Sequence, residues 1–125
     1  MWNNQVEFSE LLGKVFKSIK ASDDQIDFIT EDDVTYQMYH SQDCCESVYI
    51  ESIVGDLQDL VGNEILLAEE VTSHENPEWY DATNKYQDSF TWTFYKLATR
   101  KGYVDIRWYG ESNGYYSESV DLYKV

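Results

Sequence analysis

Residues 39–48 read YHSQDCCESV, and within them His40, Asp43, Cys44, Cys45 and Glu46 include every ligand type that zinc favours. The spacing argues against an ordinary zinc site. Two cysteines adjacent on an extended chain point to opposite faces, so one small ion can hardly take both. A turn could bring His40 near one cysteine and one acid. That would give three ligands and an open position, the pattern of a catalytic rather than a structural site. No C-x-x-C occurs, and HENPE at 74–78 is not H-E-x-x-H. Nucleophilic thiol chemistry is the second use of these residues, with His40 pairing a cysteine. Asp43 and Glu46 disfavour a thiolate, and no lysine or arginine lies within twenty residues to offset them. Against both stands plain packing, with one cysteine buried as a small hydrophobe and His40 closing a turn, or a surface loop read by a partner. No motif demands a cofactor; a metal ion on this cluster is what the residue types allow. Both thiols are expected free, since two adjacent cysteines fit a reducing compartment better than a secreted disulfide framework.

The elements that must position the cluster are mostly strands. VEFSELLG reads as a short helix closed by Gly13, and KVFKSIKAS as a strand with Val15, Lys17 and Ile19 on one face. DDQIDFIT follows, with Ile26 and Phe28 on one face, and VTYQMYH returns with Val34, Tyr36, Met38 and His40 alternating against Thr35, Gln37 and Tyr39. These two strands form a hairpin with an acidic tip at 31–33. ESVYIESI is a strand broken by Gly55, GDLQDLVG has helical spacing at Leu57, Leu60 and Val61, and EILLAEEVT is a largely apolar strand. Residues 73–88 are polar, hold the only proline, Pro77, and read as a long loop. SFTWTFYKLAT, YVDIRWYG and YSESVDLYKV predict a C-terminal three-stranded antiparallel meander, with Phe90, Trp92 and Phe94 on one face of the first strand and Thr91, Thr93 and Tyr95 on the other. The expected fold is α+β, predominantly antiparallel β-sheet with two short helices, in a single domain over residues 1–125.

Charge is the second strong feature. The chain carries 24 acids and 9 bases, a formal net charge of −15. From Ala21 to Asn84, 64 residues hold 17 acids and no lysine or arginine. Such a field repels nucleic acid and anionic membranes and attracts basic surfaces. Phosphate-binding glycine loops, an EF-hand loop and a G-x-S-x-G nucleophile are absent. Glu69 and Glu70 alternate across a strand, so they do not form a hydrolytic carboxylate pair. The N-terminus has no apolar run long enough for a signal peptide or a span, which predicts a cytoplasmic location.

The stretch YHSQDCCESVYIESIVGDLQDLVGNEILLAEE resembles a family of small proteins encoded mainly by bacteriophages and prophages. Its recurrent features are H-x-Q-D-C-C-E-x-V, then G-D-L-x-D-L-x-G, then an apolar run ending in two acids. Here they fall on His40 to Val48, Gly55 to Gly62, and Ile65 to Glu70. The resemblance implies a phage setting and a host-cell cytosolic location, and carries no activity with it.

Two functions follow as expectations. The first is an acidic, phage-encoded binding protein that inhibits a host defence or nucleic-acid-handling factor by occupying its basic surface, as an anti-CRISPR or anti-restriction nucleic-acid mimic. Its contact residues would be Asp23, Asp24, Glu31, Asp32, Asp33, Glu51, Asp56, Asp59, Glu69, Glu70, Glu75, Glu78 and Asp81, with no direct nucleic-acid or membrane binding. The alternative is a metal- or ligand-binding protein built on His40, Asp43, Cys44, Cys45 and Glu46.

Overall fold

The structure, a computed structural model, describes residues 4–42, 45–74, 89–112 and 117–125. Nine strands are described: β1 (Gln5–Val6), β2 (Phe16–Ala21), β3 (Gln25–Thr30), β4 (Thr35–Tyr39), β5 (Ser47–Val54), β6 (Leu67–Ser73), β7 (Ser89–Thr99), β8 (Gly102–Ser112) and β9 (Asp121–Lys124). They form two sheets, ordered β1-β9-β4-β3-β2 and β5-β8-β7-β6, and every strand pair is antiparallel. One apolar cluster joins them, with Phe16, Ile26, Phe28, Tyr36, Met38 and Leu122 from the first sheet and Tyr95, Leu97, Val104, Ile106 and Trp108 from the second. Each such aliphatic or aromatic side chain contributes roughly 1.5–3 kcal/mol by leaving water. Trp108 crosses the core and donates its indole N–H to Met38 Sδ at 3.3 Å.

The hairpin of β3 and β4 forms as its pattern predicts, with Ile26, Phe28, Tyr36 and Met38 buried. Its acidic tip closes by Asp33 N–H donating to the Thr30 carbonyl at 3.0 Å and Val34 N–H to Thr30 Oγ1 at 3.0 Å. Asp33 takes φ +66° there, the left-handed region that aspartate tolerates better than most residues.

Three expectations are corrected. The predominantly antiparallel sheet holds, but the helical part of the α+β assignment does not, because both expected helices are single 3₁₀ turns, Phe8–Leu11 and Leu57–Leu60. The second is confined between Gly55 and Gly62, both at positive φ. Too few residues remain to repay the cost of nucleating an α-helix. The face assignment of β2 fails because Lys17 is an extra residue in a bulge: Phe16 pairs with Thr30 and Ser18 with Ile29. Phe16 and Ile19 therefore both face the core, and Lys17 turns outward to pair with Asp33. The three-stranded meander is really a two-stranded hairpin, β7 and β8. The far edge of β8 is already occupied by β5 from Ser47 to Val54, so β9 crosses to the first sheet and inserts between β1 and β4. There it buries Leu122. The alternation read for β7 holds, and its aromatic face lies away from the inter-sheet core. Phe90, Trp92 and Phe94 gather with Tyr109 and Tyr49 on the other face of the second sheet, with Trp92 and Tyr109 rings 4.8 Å apart and Tyr49 and Tyr109 5.9 Å apart. The inward face carries Thr93, Tyr95 and Leu97 instead.

Candidate functional site

The sandwich has two ends. The tip end holds the β3–β4 turn and the β7–β8 turn. The motif end holds the β2–β3 turn and residues 40–46, where β4 gives way to β5. At the motif end His40 is the centre of a buried network. Its Nδ1 lies 2.6 Å from the Ser119 carbonyl and its Nε2 lies 2.7 Å from Glu46 Oε2. The two side chains are 4% and 0% exposed. A carbonyl oxygen only accepts, so Nδ1 carries hydrogen. One further proton closes the bond between Nε2 and the carboxylate, whichever group bears it. Gln42 Nε2 donates to Glu46 Oε1 at 3.2 Å and to the Glu46 carbonyl at 2.7 Å. The network thus ties the end of β4 to the start of β5 and to the segment leading into β9.

Of the five motif residues, the structure brings His40 and Glu46 together. Asp43 and Cys44 lie outside the described residues. Cys45 is exposed and disulfide-bonded, which corrects the expectation of two free thiols. Both His40 nitrogens are engaged, and no group of three His, Cys, Asp or Glu side chains able to hold a metal forms among the described residues.

The acids singled out by charge are spread. Glu31, Asp32 and Asp33 occupy the tip. Asp56 and Asp59 belong to the 3₁₀ turn that packs near them: Asp56 caps it by accepting from Gln58 N–H at 2.9 Å, and the Asp59 carbonyl accepts from Thr99 Oγ1 at 2.5 Å. Asp23 and Asp24 form the turn at the opposite end, where Ile50 N–H donates to the Asp23 carbonyl at 2.8 Å, beside Glu51 in a bulge of β5. Glu69 and Glu70 lie on β6 and face opposite ways, Glu69 across from Lys96 and Glu70 across from Tyr95. Glu75, Glu78 and Asp81 lie outside the described residues.

The bases are segregated. Lys14, Lys17, Arg100, Lys101 and Lys124 gather toward the tip end, Lys96 and Arg107 lie mid-sheet, and among the described residues Lys20 alone lies in the half of a sheet nearer the motif end. One lysine–carboxylate ion pair forms among the described residues, Lys17 with Asp33. Tyr36, also toward the tip, donates its hydroxyl to Glu10 at 2.9 Å. Burial, then the Glu10 carboxylate, pushes Tyr36 up to about 12.

Between the edge formed by β1 with its following 3₁₀ turn and the edge strand β6 lies a cleft of about 670 Å³. Glu70, Thr72, His74, Thr91, Thr93 and Tyr95 line one wall and residues 117–122 the other, with residues 5–8 at the rim. Among the described residues no lysine or arginine lines it. Thr91 Oγ1 donates to Glu118 Oε1 at 2.7 Å, and Ser112 Oγ donates to Glu118 Oε2 at 2.5 Å. Tyr95 donates its hydroxyl to the Val120 carbonyl at 3.1 Å, and burial, reinforced by Glu70, holds its ionisation well above the ordinary tyrosine range. Sequence reasoning missed this cleft. Its trace was Thr91 and Thr93 on the face of β7 that carries no large aliphatic side chain until Leu97.

Fold and site together define an antiparallel β-sandwich with a polar, carboxylate-bearing inter-sheet cleft braced by a buried histidine–glutamate pair. Residues 9–122 match a family described as a domain of unknown function (DUF7448), and the chain belongs to that family. No curated protein and no solved structure matches it. No helix among the described residues is long and apolar enough to cross a membrane.

Proposed function

We propose that this chain is an acidic binding protein, without a catalytic role, whose motif end docks on the basic surface of another protein. The observation that supports the reading is the segregation of the bases: five gather toward the tip end among its acids, whereas among the described residues Lys20 alone lies in the half of a sheet nearer the motif end, beside Asp23 and Asp24. Surfaces dense in lysine and arginine commonly serve nucleic acid, which presents one negative charge per roughly 1.7 Å of duplex axis. Carboxylates held on rigid strands and tight turns compete for those side chains and steer the encounter. The phage setting that the motif resemblance implies would place the partner among host proteins that handle nucleic acid. Anti-CRISPR and anti-restriction activity are the concrete forms, exercised in the host cytoplasm.

The test immobilises the protein against host lysate at low and moderate salt and identifies what is retained. A specific partner should be held at low salt and released by salt. Asp23→Lys with Asp24→Lys should abolish retention, while Glu31→Lys, Asp32→Lys and Asp33→Lys together should leave it largely intact. Retention that ignores both salt and the Asp23/Asp24 reversal would end the proposal.

A further inference from the structure

Glu118 is 8% exposed, and its two oxygens are met only by the hydroxyls of Thr91 and Ser112. Among the described residues no lysine or arginine approaches it. A carboxylate so far removed from water ordinarily has a cation beside it. His74 does not supply one: it is exposed, and its Nδ1 reaches Thr91 Oγ1 at 3.4 Å rather than the carboxylate. Thr93, on the same wall, is 4% exposed and lines the cleft, and its hydroxyl has no hydrogen-bond partner among the described residues. Among the described residues, a carboxylate with no basic side chain beside it and a threonine hydroxyl that faces the cleft with no partner thus share one cavity, and Glu70 adds a further carboxylate to its lining.

The lining excludes most ligand classes. Phosphates and carboxylates would meet only negative charge, and a neutral polyol would leave Glu118 uncompensated. The described residues offer no three-ligand metal group, and about 670 Å³ is far larger than an ion needs but falls within the range of organic-ligand sites. We propose that the cleft binds an organic cation bearing several N–H donors, a guanidinium or alkylammonium group. Glu118 is its buried anchor, Thr93 Oγ1 accepts from it, and Glu70 attracts it. Such a group arrives as a free amine or as an arginine or lysine side chain of another protein; the recognition chemistry is the same. The site goes beyond recognition by surface charge and stands or falls independently of the lysate experiment.

Amide-resolved NMR titration decides it, with agmatine, a blocked Gly-Arg-Gly peptide and N-butylurea as the neutral control. Agmatine or the peptide should give saturable shifts centred on Thr91, Thr93, Ser119 and Val120, and N-butylurea none. Losing one charge-assisted contact should weaken affinity by about tenfold or more in Glu118→Gln and in Glu70→Gln. Glu64→Gln, at an exposed position outside the lining, should leave affinity unchanged. A response to agmatine alone identifies a free amine, and tighter binding of the peptide identifies a protein side chain; both support the site. Equal shifts with N-butylurea, shifts that never saturate, or unchanged affinity in both glutamine variants would overturn it. Glu70 is exposed, so Glu70→Gln keeps the test decisive should Glu118→Gln fail to fold.

Discussion

Removing His40 should be among the most damaging single changes available to this protein. The His40 and Glu46 side chains are 4% and 0% exposed, so truncating one leaves the other's hydrogen-bonding capacity buried with no water to replace it. Breaking one side of a buried pair costs about 3–5 kcal/mol. Gln42 still donates to Glu46 in His40→Ala, which places the expected loss toward the lower end of that range. A domain of this size commonly has only about 5–15 kcal/mol to lose. At roughly 4 °C per kcal/mol, the melting temperature should fall by about 12 °C or more. Urea unfolding followed by tryptophan fluorescence is the direct assay, since Trp92 and Trp108 are both buried. The midpoint should drop while the slope stays constant. The double variant His40→Ala, Glu46→Ala should cost less than the sum of the single variants, by about 1 kcal/mol or more. A His40→Ala loss below about 1 kcal/mol, or single-variant losses that simply add, would show that the network carries no stability and would remove the reason given for how the segment leading into β9 is held.

Tyr36 predicts an alkaline loss of stability. Its hydroxyl ionises near 10 when unfolded and at about 12 when folded, so between these values the unfolded chain sheds a proton that the folded one keeps, and stability falls. Tyr36→Phe should flatten urea-midpoint profiles over that window, and an unchanged slope would refute the assignment. Added salt should raise the melting temperature as the Debye length shrinks from about 30 Å at 0.01 M to about 8 Å at 0.15 M, because 24 acids stand against 9 bases and repel one another; calorimetry showing a flat or falling temperature would contradict this. Gly55→Ala should destabilise by about 2 kcal/mol or more, since φ is +108° and a Cβ would lie 2.5 Å from the Tyr103 carbonyl oxygen, whereas Gly62→Ala, with φ +84° and nothing within 4 Å, should cost about 1 kcal/mol. Equal losses in urea melts of these two variants would refute the steric account.

Alternation made much of the sandwich legible in the sequence. Ile26 with Phe28 and Tyr36 with Met38 mark inward faces because a period of two leaves a half-buried strand no other way to fold. The glycines that end the turns are equally plain. Lys17 and Glu51 defeat the same logic, since a bulge adds one residue and reverses the parity of everything after it. The crossing of β9 was not legible either: which sheet accepts a strand depends on the edge left open elsewhere, and nothing in YSESVDLYKV records that β5 has taken the place beside β8. Alternation separates Phe90, Trp92 and Phe94 from Thr93 and Tyr95, but it does not say which side of β7 meets the other sheet, and that side is the one with Thr93 and Tyr95. The cleft is assembled from β6, β7 and the approach to β9, segments with no shared local pattern, so its chemistry emerges only when the sheets close. The His40 motif was visible as a cluster, but its role as a brace depends on the Ser119 carbonyl, 79 residues along the chain.

The place of β9 has a consequence for how the chain comes into being. Among the described strands β1 comes first in sequence and pairs with β9, which comes last, and β4 waits for that same strand on one of its edges. During synthesis the β2–β3–β4 hairpins can pair as they emerge, but the first sheet stays open at its middle until residues 121–124 are free to enter it. Closing it draws together segments separated by nearly the whole chain, a loop-closure cost met late and by few residues. Until then the acidic strands and turns stand with an unfilled apolar edge beside them, and the like charges they carry keep nascent copies apart from one another.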